Sequence, residues 1–199
     1  STHICHAKAL VASGKRDEAN ELRPRQPLFD PDNGPYIPLT EQAIELKRRA
    51  LEKLDRFEEY ANATSLNTLI DNGNGDFGVV TSGLPYYSLM DVLDGVGEGT
   101  DGQDHVNEAP DILKLALSYP LPRELLADFC RKHHEVLVLE ELDPLLEREI
   151  KALAFDEGIS VKIRGKDGRE DLIGEYSPGK VRSILSRYYP GLDGCENAP

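Results

Sequence analysis

Apolar residues recur with two different periods along this chain, and the alternation between them sketches the fold. From Thr40 to about Asn62, Ala43, Ile44, Leu46, Ala50, Leu51, Leu54, Phe57 and Ala61 form a helical stripe, with Lys47, Arg48, Arg49, Glu52 and Lys53 on the other faces. Thr40 is placed to cap that helix. The pattern then changes. Phe77-Gly78-Val79-Val80 is a short β-branched run, and Ser82-Gly83 punctuates it. Pro85 fits the first turn of a helix extending through Tyr87–Leu93, because a first-turn residue has no N–H to lose. Further strands are predicted at Ile112–Leu117, Val136–Leu139 and Ile159–Ile163, separated by helical patterns opening at Pro122 and Pro144. The Val136–Leu139 run is apolar without interruption, as buried parallel strands are. Gly165-Lys166-Asp167-Gly168 reads as a turn, and a last helix capped by Ser177 carries Val181, Ile184, Leu185 and Tyr188 on one face.

Strands alternating with helices predict an α/β fold, a three-layer α/β/α sandwich on a mostly parallel sheet with right-handed crossovers. The sheet domain is expected over residues 76–199. Residues 1–75 then hold the end of a preceding unit, a Pro-rich linker and the long brace helix. Pro24, Pro27, Pro31, Pro35 and Pro38 exclude long regular structure within the linker. Residues 94–110 carry four Gly, five acids and no Lys or Arg, the composition of a surface loop.

Composition narrows the function classes. At 199 residues, 39% hydrophobic and 30% charged, the chain is of ordinary globular type. A formal charge of −13 argues against sequence-independent binding to nucleic acid or anionic membrane. No apolar run approaches the roughly 18 residues of a membrane helix. Cys5, Cys130 and Cys195 are odd in number and widely spaced, which suggests reduced thiols in the cytoplasm and excludes a zinc or iron–sulfur cage built from them alone. A first residue Ser1, inside what reads as a strand end, suggests a piece of a longer protein.

Candidate chemistry is sparse. The glycines form neither Gly-x-Gly-x-x-Gly nor a phosphate loop, and Ser82 lacks the preceding glycine of a nucleophile elbow. Asp71-Asn72-Gly73-Asn74-Gly75-Asp76 lacks the distal carboxylate of a calcium loop and reads as a turn. His3 and His6 have no nearby carboxylate or thiol, and His133 and His134 point different ways, so no metal site is assigned. Two places remain. The Thr81-Ser82-Gly83 turn with Tyr86 presents a helix N-terminus at a strand's carboxyl end, where amides and dipole favour an anion. Glu140 and Glu141 follow the third strand's carboxyl end, available for function, for an interface, or for capping the next helix.

A family resemblance rests on several ordered motifs. These are Arg56-Phe57-Glu58-Glu59-Tyr60-Ala61-Asn62, Gly78-Val79-Val80-Thr81-Ser82-Gly83 with Tyr86, and Leu113-Lys114-Leu115-Ala116-Leu117-Ser118-Tyr119-Pro120-Leu121-Pro122. Val136-Leu137-Val138-Leu139-Glu140-Glu141-Leu142-Asp143-Pro144 and Gly174-Glu175 continue the series. Together they resemble the α-subunits of indolepyruvate:ferredoxin oxidoreductases across nearly the whole chain. The resemblance implies a middle domain similar to the C-terminal domain of transketolases. It also implies a parent enzyme that oxidatively decarboxylates arylpyruvates to acyl-CoA with thiamine diphosphate, magnesium and iron–sulfur clusters. The parent would be an oligomer, with a β-subunit and ferredoxin as partners. Thr2-His3-Ile4-Cys5-His6 is similar to the last strand of the preceding pyrimidine-binding domain. The family's activating glutamate, diphosphate-binding motif and cluster cysteines fall outside these residues, so the resemblance implies no catalytic residue and no bound cofactor here. The acidic loop at 94–110 and Ala116, where glycine is common, depart from the family and leave room for a different 2-oxoacid.

Overall fold

The computed structural model describes residues 39–97 and 109–189, together with Leu10. The proline-rich linker, His3, His6, Cys5, Cys195, residues 98–108 of the acidic loop and the tail from Pro190 lie outside the described residues. The chain divides into two compact units, Ser1–Leu54 and Asp55–Pro199. In the first, helix α1 (Thr40–Ala63) begins, and Glu45 pairs with Arg48 and, at 3.0 Å, with Arg49.

The second unit holds the sheet. Its elements are β1 (Thr68–Ile70), β2 (Phe77–Ser82), α2 (Leu84–Gly97), β3 (Asp111–Leu115), α3 (Arg123–Lys132), β4 (Glu135–Leu139), α4 (Leu145–Asp156), β5 (Lys162–Arg164), a 3₁₀ turn (Arg169–Leu172) and α5 (Pro178–Leu185). The sheet order is β1-β3-β2-β4-β5, parallel throughout except for the antiparallel edge strand β1. Alternation along the central strands sorts their side chains to two faces. Val79, Leu137 and Leu139 meet Leu89 and Val92 of α2 and Val181, Ile184 and Leu185 of α5. Val80, Val136 and Val138 meet Leu126 and Phe129 of α3 and Ile150 and Leu153 of α4. The result is the expected three-layer α/β/α arrangement. Each fully buried Val or Leu contributes about 1.5–3 kcal/mol of transfer free energy, so both faces are strongly specified. Gly78 is required by packing: a Cβ there would lie 2.7 Å from the Phe129 ring, so only glycine lets α3 lie against β2.

Several boundaries differ from the periodicity for identifiable reasons. β3 stops at Leu115, not Leu117, because the amides of Ala116 and Leu117 donate to Asn67 Oδ1 at 2.9 and 3.1 Å. The strand predicted at Ile159–Ile163 pairs only over Lys162–Arg164. The amides of Ile159 and Val161 turn to the local carbonyls of Ala154 and Ile159 instead. β1 went unread because three residues, two of them exposed, carry no alternation to detect. α2 runs longer than predicted at both ends, from Leu84 to Gly97.

Candidate functional site

The first parallel strand, β2, has later strands on both sides, β3 on one and β4 on the other. The helices that follow β2 and β3 cover opposite faces. The carboxyl ends of β2 and β4 are therefore the switch point, the place where open α/β sheets bind ligands. The last paired residues are Thr81 and Leu139. The two regions singled out in the sequence, Thr81–Gly83 and Glu140–Glu141, thus follow neighbouring strand ends at one switch point, though some sixty residues separate them.

At the β2 side, Gly83 adopts a positive φ of 65°, which glycine tolerates without strain, and α2 starts at the next residue. Thr81 is completely buried and its hydroxyl donates to the Leu139 carbonyl at 3.1 Å, so its side chain bonds to the neighbouring strand. Ser82 and Tyr86 are half-buried and Gly83 is exposed. Lys114, register partner of Thr81 on β3, holds its ammonium 4.9 Å from the centre of the Tyr86 ring and 5.9 Å from that of Tyr87. Sequence reading passed over Lys114; the signal was a lysine interrupting an apolar strand.

At the β4 side, Glu140 is buried and its two oxygens accept from the amides of Leu146 and Glu147, both at 2.8 Å. Pro144, at the N-cap of α4, offers no side-chain cap, so the carboxylate reaching from the strand end supplies one and complements the helix dipole. Glu141 Oε1 accepts from the amide of Tyr176 at 2.9 Å. Of the roles weighed for the acidic pair, the geometry displays backbone capping.

Beside them lies a network that motif reading missed. Lys166, in the predicted turn, sends its ammonium to the carbonyls of Glu140 and Asp171, the latter at 3.1 Å, and to the Tyr176 hydroxyl at 2.5 Å. Its amide donates to Glu147 Oε2 at 2.9 Å. Asp171 accepts from the Asp167 amide and from Arg187, each at 2.8 Å. Burial holds Lys166 below the usual lysine range, against the pull of Glu140, and burial pushes the Tyr176 hydroxyl well above its ordinary value. All three ammonium hydrogens have acceptors, so this lysine ties the loop after β5 to the end of β4. Among the described residues no group of three or more His, Cys, Asp or Glu is placed to hold a metal ion.

The chain is 30% identical over 199 residues to the indolepyruvate oxidoreductase subunit IorA of Methanothermobacter marburgensis, an alignment covering 99% of this chain. It is 29% identical over 197 residues to IorA of Methanothermobacter thermautotrophicus, and 34% identical over 117 residues, 59% of the chain, to IorA of Pyrococcus abyssi. The chain belongs to the IorA family. It spans 29% of the length of either Methanothermobacter subunit. No family model matches it.

The amino edge of this IorA-family sheet is closed by a second polar node. Asp111, wholly buried at the start of β3, accepts at Oδ1 from the amides of Asn72 and Asn74, at 2.8 and 3.1 Å. Its Oδ2 lies 2.7 Å from Lys132 Nζ and 3.1 Å from His133 Nε2, while His133 Nδ1 lies 2.7 Å from the Phe129 carbonyl. The Asp71–Asp76 stretch is therefore a loop folded around a buried carboxylate. Burial pushes Asp111 up, but Lys132, the two amides and His133 outweigh it and hold it below the ordinary carboxylate value. Cys130, on the inner face of α3, is 1% exposed and pushed up by burial to about 11. Its thiol is expected to resist maleimide at pH 7 until the domain unfolds, as a thiol-labelling time course against denaturant would show.

Among the described residues, no helix is long and apolar enough to cross a membrane.

Proposed function

We propose that this chain is the middle α/β part of an indolepyruvate:ferredoxin oxidoreductase subunit and serves there as a scaffold and docking domain. In this reading the parent enzyme is cytoplasmic. It draws thiamine diphosphate, magnesium and iron–sulfur clusters from other stretches and works with a second subunit and ferredoxin. The relatives named indolepyruvate oxidoreductase support the reaction class, through a match running the length of the chain. The transketolase-like role is supported by the parallel sheet and its helices on both faces. One observation favours scaffold over catalyst: the acidic pair at the switch point is bound to backbone amides of Leu146, Glu147 and Tyr176. A general base needs its lone pair directed at substrate.

The test uses the full-length subunit with its partner subunit and follows indolepyruvate-dependent reduction of ferredoxin. Glu141→Gln is expected to leave the pH profile of kcat unchanged. A profile that loses one limb overturns the scaffold reading, and failure of the parent to oxidise indolepyruvate overturns the reaction class.

A second reading places an anion, a CoA phosphate or a substrate carboxylate, at Ser82, Gly83 and Tyr86. Lys114 favours it, since its ammonium stands beside Tyr86 in the first turn of α2. Titration with CoA should move the backbone amide resonances of residues 81–84 and of Tyr86; unmoved resonances end this reading.

A further inference from the structure

We propose that the carboxyl edge of the sheet is the face through which this domain docks, and that another part of the same polypeptide covers it. The inference rests on the scaffold reading and names the surface involved. Each segment leaving the carboxyl end of a parallel strand carries a large apolar side chain in solvent. Tyr87 follows β2 and is 57% exposed, Tyr119 follows β3 at 78%, Leu142 follows β4 at 56%, and Ile173 follows β5 at 63%. Leu145, opening α4, adds another at 66%. Scattered exposed hydrophobes are ordinary, but one on every segment that leaves the same edge is a patch. The amino edge is built differently, around the polar node at Asp111, with Phe155 as its exposed large apolar side chain among the described residues.

Backbone strain points to the same place. Leu142 is the non-glycine residue with positive φ among the described residues, at 58°. Glycine would sit there without the Cβ clash that leucine suffers, and leucine has no polar group with which to offset it by a local hydrogen bond. Within this unit the leucine recovers little burial for that strain. Strained backbone persists where surroundings over-determine it, and a surface closing over Leu142 would do so.

The length of the relatives identifies the occupant. The matched stretch is under a third of the Methanothermobacter subunits, so in those proteins the rest of the chain is tethered to this unit. Five side chains are too few for a stable interface between free partners, which needs about 1,600 Å² in total. A tethered segment meets the edge at an effective concentration near the millimolar range, and a patch of this size then suffices.

Cysteine accessibility in the full-length subunit, assembled with its partner subunit, tests this. Tyr119→Cys and Ile173→Cys should react with maleimide at least about tenfold more slowly than Asp128→Cys, an exposed control on α3. Equal rates overturn the proposal. Cross-linking from Tyr119→Cys in mixed light and heavy subunits should yield peptides joined within one chain; links to a second copy or to the other subunit overturn the assigned occupant. Adding Leu142→Gly, which relieves the backbone, should speed labelling at Tyr119→Cys by several-fold, whereas a merely structural Leu142 leaves that rate unchanged. These readouts are independent of catalysis. Free labelling in an enzyme that still oxidises indolepyruvate removes the docking face alone.

Discussion

Asp111→Ala should lower the unfolding free energy by about 3–5 kcal/mol, the range for removing one partner of a buried charged network. The carboxylate is the common acceptor for the amides of Asn72 and Asn74 and the side chains of Lys132 and His133. Alanine leaves His133, itself wholly buried, facing empty space at Nε2 and leaves the loop before β2 without its anchor. Domains of this kind are stable by about 5–15 kcal/mol, so the loss is a large fraction of the whole. Urea titration followed by circular dichroism measures it; a change below about 1 kcal/mol would show that the node is not holding the fold. The pH dependence has a definite sign. The folded pKa of Asp111 lies below its ordinary 3.8, so its contribution is present above pH 3.8 and is lost as pH falls through the lower folded value. Asp111→Asn, which cannot titrate, should therefore show a shallower acid limb than the parent protein, with reduced stability at neutral pH.

Glu140→Ala is expected to cost about 2–3 kcal/mol. The change removes two charge-assisted hydrogen bonds from the amides of Leu146 and Glu147, at a helix N-terminus where Pro144 supplies no cap. Glu140→Gln keeps one carbonyl acceptor and should recover part of the loss. In the full-length enzyme, activity per folded molecule should persist in Glu140→Gln. The decisive comparison is kcat, corrected for folded fraction, against the unfolding midpoint. A kcat that collapses while the midpoint holds would give Glu140 a catalytic role.

The layers of the fold could be read from the chain because their causes are local. Val136–Leu139 is apolar at every position since a central parallel strand is buried on both faces, and α3 and α5 repeat their apolar residues at helical spacing. Capping is local too, so Ser177 was legible, and its side chain does accept from the Lys180 amide. β1 and the short β5 were not legible as they stand. β1 is too short to show a period, and β5 is cut short where the amides of Ile159 and Val161 turn to Ala154 and Ile159, just as Asn67, distant in sequence, closes off β3.

The candidate site divides in the same way. Residue types alone marked the Ser82-Gly83 turn and the Glu140–Glu141 pair, because strand ends followed by a turn or a proline are recognisable in one dimension. Their meeting at one switch point, and the orientation of the carboxylates toward backbone amides, depended on which strands became neighbours. The roles of Asp111, Lys166 and Lys114 depended on the same choice. A charged residue has no periodicity of its own, and its role is fixed by the partner that burial brings within about 3 Å.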